Sequence, residues 1–189
     1  MTLLMLGLLL FFGIHSVRIV APGWRLAMIG RVGEQPWKGV YSLVALAGLA
    51  LIVIGYGQAR LAPELLYSPP GWMRHLTLTL LLPVFPLLVA YHLPGRIRRL
   101  AGGHPMLVAT ILWSAAHLTT TTTRADLLLF GTFLGWALAD LASAVRRPGG
   151  GRGRERPYND AIVIVLGLGL YALFVLWAHR WLIGLSPLG

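Results

Sequence analysis

The chain contains no cysteine. That one absence excludes structural disulfides, thiolate-ligated iron–sulfur clusters, covalent C-x-x-C-H haem attachment and cysteine nucleophiles. Acid is scarce as well, with six Asp and Glu against 16 Lys and Arg, and charged residues make up only 12% of the 189. A soluble domain of this size needs far more polar surface. What is present is apolar: 57% of the residues are hydrophobic and the mean hydropathy is +0.73. The chain therefore reads as an integral membrane protein whose first partner is membrane lipid. A net charge of +10 would suit nucleic acid if the basic residues shared one amphipathic face. They sit instead in short loops between apolar runs, the pattern that specifies membrane topology, so no nucleic-acid partner is expected.

Six apolar runs are long enough, or nearly so, for a hydrocarbon core that takes about 20 helical residues. They lie near 2–22, 39–59, 72–93, 105–120, 124–145 and 160–183, and the fourth is the shortest. The fold class that follows is all-α, a polytopic membrane helix bundle of about six transmembrane helices forming a single domain over 1–189. Short loops imply antiparallel neighbours. The exception is the Gly- and Arg-rich segment 146–157, which reads as a flexible cytoplasmic linker and a place for anionic lipid to gather. The first run does not read as a cleaved signal peptide. It lacks a basic n-region and a small-x-small site, and it carries His15 and Arg18 where cleavage would fall.

Charge sets an expected orientation. Arg25, Arg31 and Lys38 follow the first run, Arg96, Arg98 and Arg99 the third, and Arg146, Arg147, Arg152, Arg154 and Arg156 the fifth. The other two loops and their flanks offer Arg60, Arg74 and Arg124, with Glu64 and Asp126 nearby. The positive-inside rule then makes the odd loops cytoplasmic and puts both termini outside. Pro83 and Pro86 remove backbone donors from the third run, which predicts a kink whose freed carbonyls need partners. Trp24, Trp37, Trp72 and Trp181 read as interfacial belt residues, and Thr119–Thr123 as a tight turn with no chemistry.

Polar groups at membrane depth are the functional candidates, since each charge costs on the order of 2.5–3.5 kcal/mol on insertion scales. Arg18 lies three residues after His15, on the same helical face. It has two readings: it snorkels to the headgroups, or it binds a carboxylate such as a haem propionate. Asp140 is expected to pair with Arg18 across the bundle. Of the six histidines, His92 and His104 fall at one membrane boundary and His75 and His179 at the other, where an interfacial polar role is the plain reading. His15 and His117 fall well inside apolar runs. His104 and His117 cannot share an iron, because thirteen residues set them about 20 Å apart on one helix. Paired ligation must join different helices. Neutral imidazoles without cysteine or a carboxylate cluster suit haem b better than zinc or a di-iron centre. From the residues alone, an outer pair of His75 and His179 stays open beside His15 and His117.

Several longer segments carry a resemblance. GIHSVRIVAPGWR (13–25), WKGVYSLVALAG (37–48), GHPMLVATILWSAAH (103–117), LLLFGTFLGWALAD (127–140) and PYNDAIVIVLGLGLYALFVLWAHRWLIG (157–184) resemble the NnrU family of small integral membrane proteins over nearly the whole chain. The resemblance implies a protein of the bacterial inner (cytoplasmic) membrane linked to denitrification, that is, to nitrite and nitric oxide metabolism. A distant relative, 15-cis-zeta-carotene isomerase, is a haem b membrane enzyme. Its histidine pair falls in an H-S segment of the first helix and at the end of a W-x-x-x-H segment. These match His15-Ser16 and Trp113–His117, so the resemblance implies His15 and His117 as axial ligands. Arg18, Trp113 and Ser114 are expected to bind the cofactor beside them.

The match is incomplete. The isomerase has a cysteine at the position of Ser114, so ligand switching of its kind is not implied here. Relatives read Arg-His-Pro where this chain has Gly103 before His104-Pro105. That motif also resembles membrane methyltransferases that use S-adenosylmethionine, but their adjacent glutamate pair is missing and only Asp140 lies near its position. A third reading is a non-catalytic partner in the assembly or regulation of a nitrogen-oxide reductase. The expected function is a haem b protein in nitrogen-oxide metabolism, acting on a small, gaseous or lipophilic ligand.

Overall fold

A computed structural model of the chain describes residues 1–147, 156 and 158–188. Most of segment 146–157, expected as a linker, lies outside them. In chain order the helices are α1 (Thr2–Val20), α2 (Pro22–Val32), α3 (Glu34–Ala59), α4 (Met73–Leu81), α5 (Val84–His92), α6 (Arg96–Leu100), α7 (Pro105–Thr119), α8 (Arg124–Val145), α9 (Tyr158–Leu173), a π-helical turn (Phe174–Ala178) and α10 (His179–Ile183). Among the described residues the only strand-like pairing is an isolated bridge between Leu65 and Thr123. Five helical stretches are long and apolar enough to cross a membrane: Thr2–Val20, Glu34–Ala59, Met73–His92, Arg124–Val145 and Tyr158–Ile183. The sixth expected span, Pro105–Thr119, is apolar but has 15 residues. At ~1.5 Å per residue it reaches about 22 Å, short of a ~30 Å hydrocarbon core. The chain divides into two compact units. Residues 1–66 and 123–132 form the first, and residues 67–122 with the described residues from 133 onward form the second.

In the first unit α1 and α3 run antiparallel along a seam of glycines. A Cβ at Gly7 would lie 2.5 Å from the backbone nitrogen of Ile52, and one at Gly48 would lie 2.7 Å from that of Phe11. One at Gly55 would overlap the backbone of Leu3 and Leu4. Water does not drive helices together inside lipid, so close van der Waals approach of backbones has to, and glycine permits it. Residues 23–38, expected as a loop, contain a helix and the start of the next one. Pro22 opens α2 with its φ already helical. Single residues, Ala21 and Gly33, join α2 to its neighbours, and Gly33 takes φ +90°, which favours glycine. Trp37, expected in the interfacial belt, is 8% exposed and meets Trp24 edge-on, with ring centroids 5.7 Å apart.

At the other end of this pair, α3 is tied to the start of α8. The Tyr56 hydroxyl donates to Asp126 Oδ1 at 2.5 Å. The second carboxylate oxygen of Asp126 accepts from the Thr123 amide at 3.0 Å, and Thr123 Oγ1 accepts from the Asp126 amide at 3.2 Å. This is a reciprocal N-terminal cap. Arg124 pairs with Glu64 at 3.1 Å.

In the second unit the third expected span is broken rather than bent. The α-helix stops at Leu81 and resumes at Val84. Pro83 has no amide, and Pro86 sits in the first turn of α5, where an amide would have no partner inside the helix. The Leu82 amide turns to Thr79 O at 3.2 Å, and the Leu78 carbonyl accepts instead from the Tyr171 hydroxyl of α9 at 2.9 Å. One turn of α9 away, a Cβ at Gly167 would lie 2.5 Å from Pro86 Cα. On its other side α5 packs on α7 through Val84, Leu87 and Ala109, while the Thr77 and Thr119 hydroxyls sit 2.6 Å apart between α4 and α7.

Candidate functional site

His15 lies three-quarters of the way along α1, half-buried in the first unit. Its Nδ1 is 2.6 Å from the carbonyl of Phe11, one turn back. A carbonyl can only accept, so Nδ1 carries the proton and the basic lone pair lies on Nε2. The ring lies against Phe11, with centroids 4.2 Å apart at 30°, and Tyr41 of α3 meets it at 5.2 Å and 62°. Three residues on, Arg18 is exposed in the last turn of α1.

His117 lies near the end of α7, half-buried in the second unit. Its Nδ1 is 2.8 Å from the carbonyl of Trp113, also one turn back, so it has the same tautomer as His15. The indole of Trp113 lies 5.2 Å from the imidazole, packs on the cluster of Val84, Leu87 and Ala109, and meets Phe133 edge-on at 5.2 Å. Ser114 is fully buried, and its hydroxyl is directed at the carbonyls of Thr110 (2.6 Å) and Ile111 (3.2 Å). Thr120 and Thr121 turn their hydroxyls onto the His117 carbonyl at 3.3 and 3.2 Å, which closes the helix end.

The remaining polar candidates are placed as follows. His75 and His92 are exposed, and His104 caps the start of α7. His179 Nδ1 bonds the carbonyl of Leu185, in the chain that follows α10, at 2.8 Å. Asp140, expected to pair with Arg18, pairs instead with Arg147 at 2.8 Å. Seven residues are two helical turns, so Arg147 lies over the same face and its long side chain reaches back. Its Nε also donates to Ser143 O at 3.2 Å.

Among the described residues no three His, Cys, Asp or Glu side chains come together as a metal site. A haem asks less of the protein, because the porphyrin fills four coordination positions. What it needs is an imidazole with Nδ1–H held and Nε2 carrying the lone pair. His15 and His117 both meet that requirement, each through the carbonyl four residues back. The residues present therefore fit the group. Sequence reasoning missed the aromatic packing of His15: Phe11 was within reach of a helical-spacing argument, but nothing local points to Tyr41.

No curated protein and no solved structure matches the chain. A family model described as NnrU protein matches residues 3–187. With the helices long and apolar enough to cross a membrane, that match identifies the chain as a membrane protein belonging to the NnrU family.

Proposed function

We propose that this protein binds haem b through His15 and His117 and acts in nitrite and nitric oxide metabolism. The observation that carries the reading is the shared state of these two imidazoles. Both lie within apolar helices, and both have Nδ1–H bonded to the carbonyl one turn back, which presents Nε2 as the basic nitrogen. Phe11 and Tyr41 hold the first ring, and Trp113 holds the second. Arg18 supplies a guanidinium for a propionate, and buried Ser114 keeps the wall of its helix small. Bound haem would supply one-electron and small-ligand chemistry in an apolar setting. The link to nitrogen oxides rests on the family. The same reading puts the protein in the bacterial inner membrane with both termini periplasmic, on the distribution of basic loops.

The test is an absorption spectrum of detergent-purified protein from haem-replete cells, oxidised and then dithionite-reduced. A stoichiometric Soret band with sharp low-spin reduced bands is expected. That spectrum should vanish in H15A and in H117A and survive in H75A and H179A. The H179A control is the sharper of the two, since His179 also has Nδ1 on a carbonyl. A folded, colourless protein would end the haem reading.

A further inference from the structure

We propose that the corner where α5, α6 and α9 meet binds the phosphate of an anionic glycerophospholipid through Arg96, Arg98 and Arg156. The inference is independent of any group at His15 and His117.

The corner is a membrane boundary by construction. The span Met73–His92 ends there, the span Tyr158–Ile183 begins there, and α7 starts five residues beyond α6. The short α6 lies across these ends. It turns Ile97 inward onto the cluster of Val84, Leu87 and Ala109. Outward it presents Arg96 and Arg99, with Leu100 83% exposed. Exposed Tyr91 and Tyr158 flank it, as aromatics do at the level of lipid headgroups.

Among the described residues this corner carries more arginine than carboxylate. Asp160 is its one carboxylate among the described residues, and both of its oxygens face backbone. Oδ2 accepts from the Arg96 amide at 3.1 Å and Oδ1 from the Ile97 amide at 3.0 Å. The start of α6 is thereby closed to an outside anion, and an anion must go to the guanidiniums. One of them has a donor left over: Arg98 Nε is buried and has no hydrogen-bond partner among the described residues. A buried donor left unmatched calls for an acceptor, and a phosphate oxygen is a strong one for guanidinium.

The frame is also rigid. Pro94 O accepts from Asn159 Nδ2 at 2.9 Å and from the Arg156 amide at 3.2 Å. Gly95 has no room for a Cβ beside the Asp160 carboxylate. A site held this firmly needs little ordering when its ligand arrives. A basic corner between membrane helices, with apolar and aromatic side chains at its rim, matches a lipid that carries both a phosphate and acyl chains.

The test is native mass spectrometry of the purified full chain with phosphatidylglycerol, cardiolipin or phosphatidylcholine added to the detergent. Adducts of the two anionic lipids should exceed those of phosphatidylcholine. R96Q/R98Q should lower them by about tenfold, the scale of losing charge-assisted hydrogen bonds. R180Q, at an exposed arginine near the far end of the span Tyr158–Ile183, should leave them unchanged. Should the double variant not purify, R98Q alone carries the test. Equal retention of phosphatidylcholine, or undiminished anionic adducts in a folded variant, would overturn the proposal.

Discussion

The α1–α3 pair and the α5–α9 pair each bring a glycine against the backbone of the neighbouring helix, by different means. In the first, both partners are unbroken, and contact depends on three glycines, Gly7, Gly48 and Gly55, each facing the other helix's backbone. In the second, one partner is interrupted by proline, and a single glycine, Gly167, receives it at Pro86. Straight helices satisfy their own amides and carbonyls, so the glycine seam needs no side-chain hydrogen bond. The interrupted helix has a carbonyl to satisfy, and Tyr171 meets that need from across the interface. A small-residue seam is therefore all steric, whereas a proline break adds a polar debt that the neighbouring helix settles.

Substitutions can break this comparison, and the largest effect should come at Gly55. Its Cβ position is filled by backbone atoms of α1. G55L should destabilise the first unit by about 3 kcal/mol or more, because backbone cannot rotate away as a side chain does. Denaturation in mixed SDS micelles, followed by helical circular dichroism, is the measurement. Next comes G167V. Here the opposing atoms belong to Pro86 beside a helix break that can shift, so about 2 kcal/mol is expected in the same assay. If G167V costs as much as G55L, the broken helix is no more yielding than the straight one and the distinction fails. The smallest effect is Y171F, at about 1 kcal/mol, the scale of one interhelical hydrogen bond in a membrane. A neutral Y171F would mean that the Leu78 carbonyl finds another donor.

The same contrast explains what could be read from the chain beforehand. Long spans are legible because the bilayer demands about 20 apolar residues in a row, whatever packs against them. The interruption at Pro83 and the need for a carbonyl partner are legible because proline acts locally. The identity of that partner is not, since Tyr171 lies 93 residues away. The helices α2 and α6 escape a hydropathy reading because they are short, polar at several positions and too brief to cross. Trp37 is misplaced for a related reason: a tryptophan near a span end looks interfacial until α2 folds over it. His15 and His117 stand out by depth alone, and their Nδ1 partners are one turn away on the same helix. Asp140 does not follow this pattern, because its partner Arg147 lies two helical turns further along the chain, and depth alone does not point to it.

The Tyr171 contact also has a consequence for biosynthesis. Ribosomes deliver the chain from its N-terminus, so Leu78 enters the membrane well before Tyr171 has been made. Throughout that interval the interrupted span carries a carbonyl that hydrocarbon cannot satisfy. The helix that begins at Tyr158 therefore seals a defect that its predecessor already carries, and truncation before Tyr171 should leave the span at Met73–His92 prone to slip out of the bilayer or into the hands of a membrane chaperone.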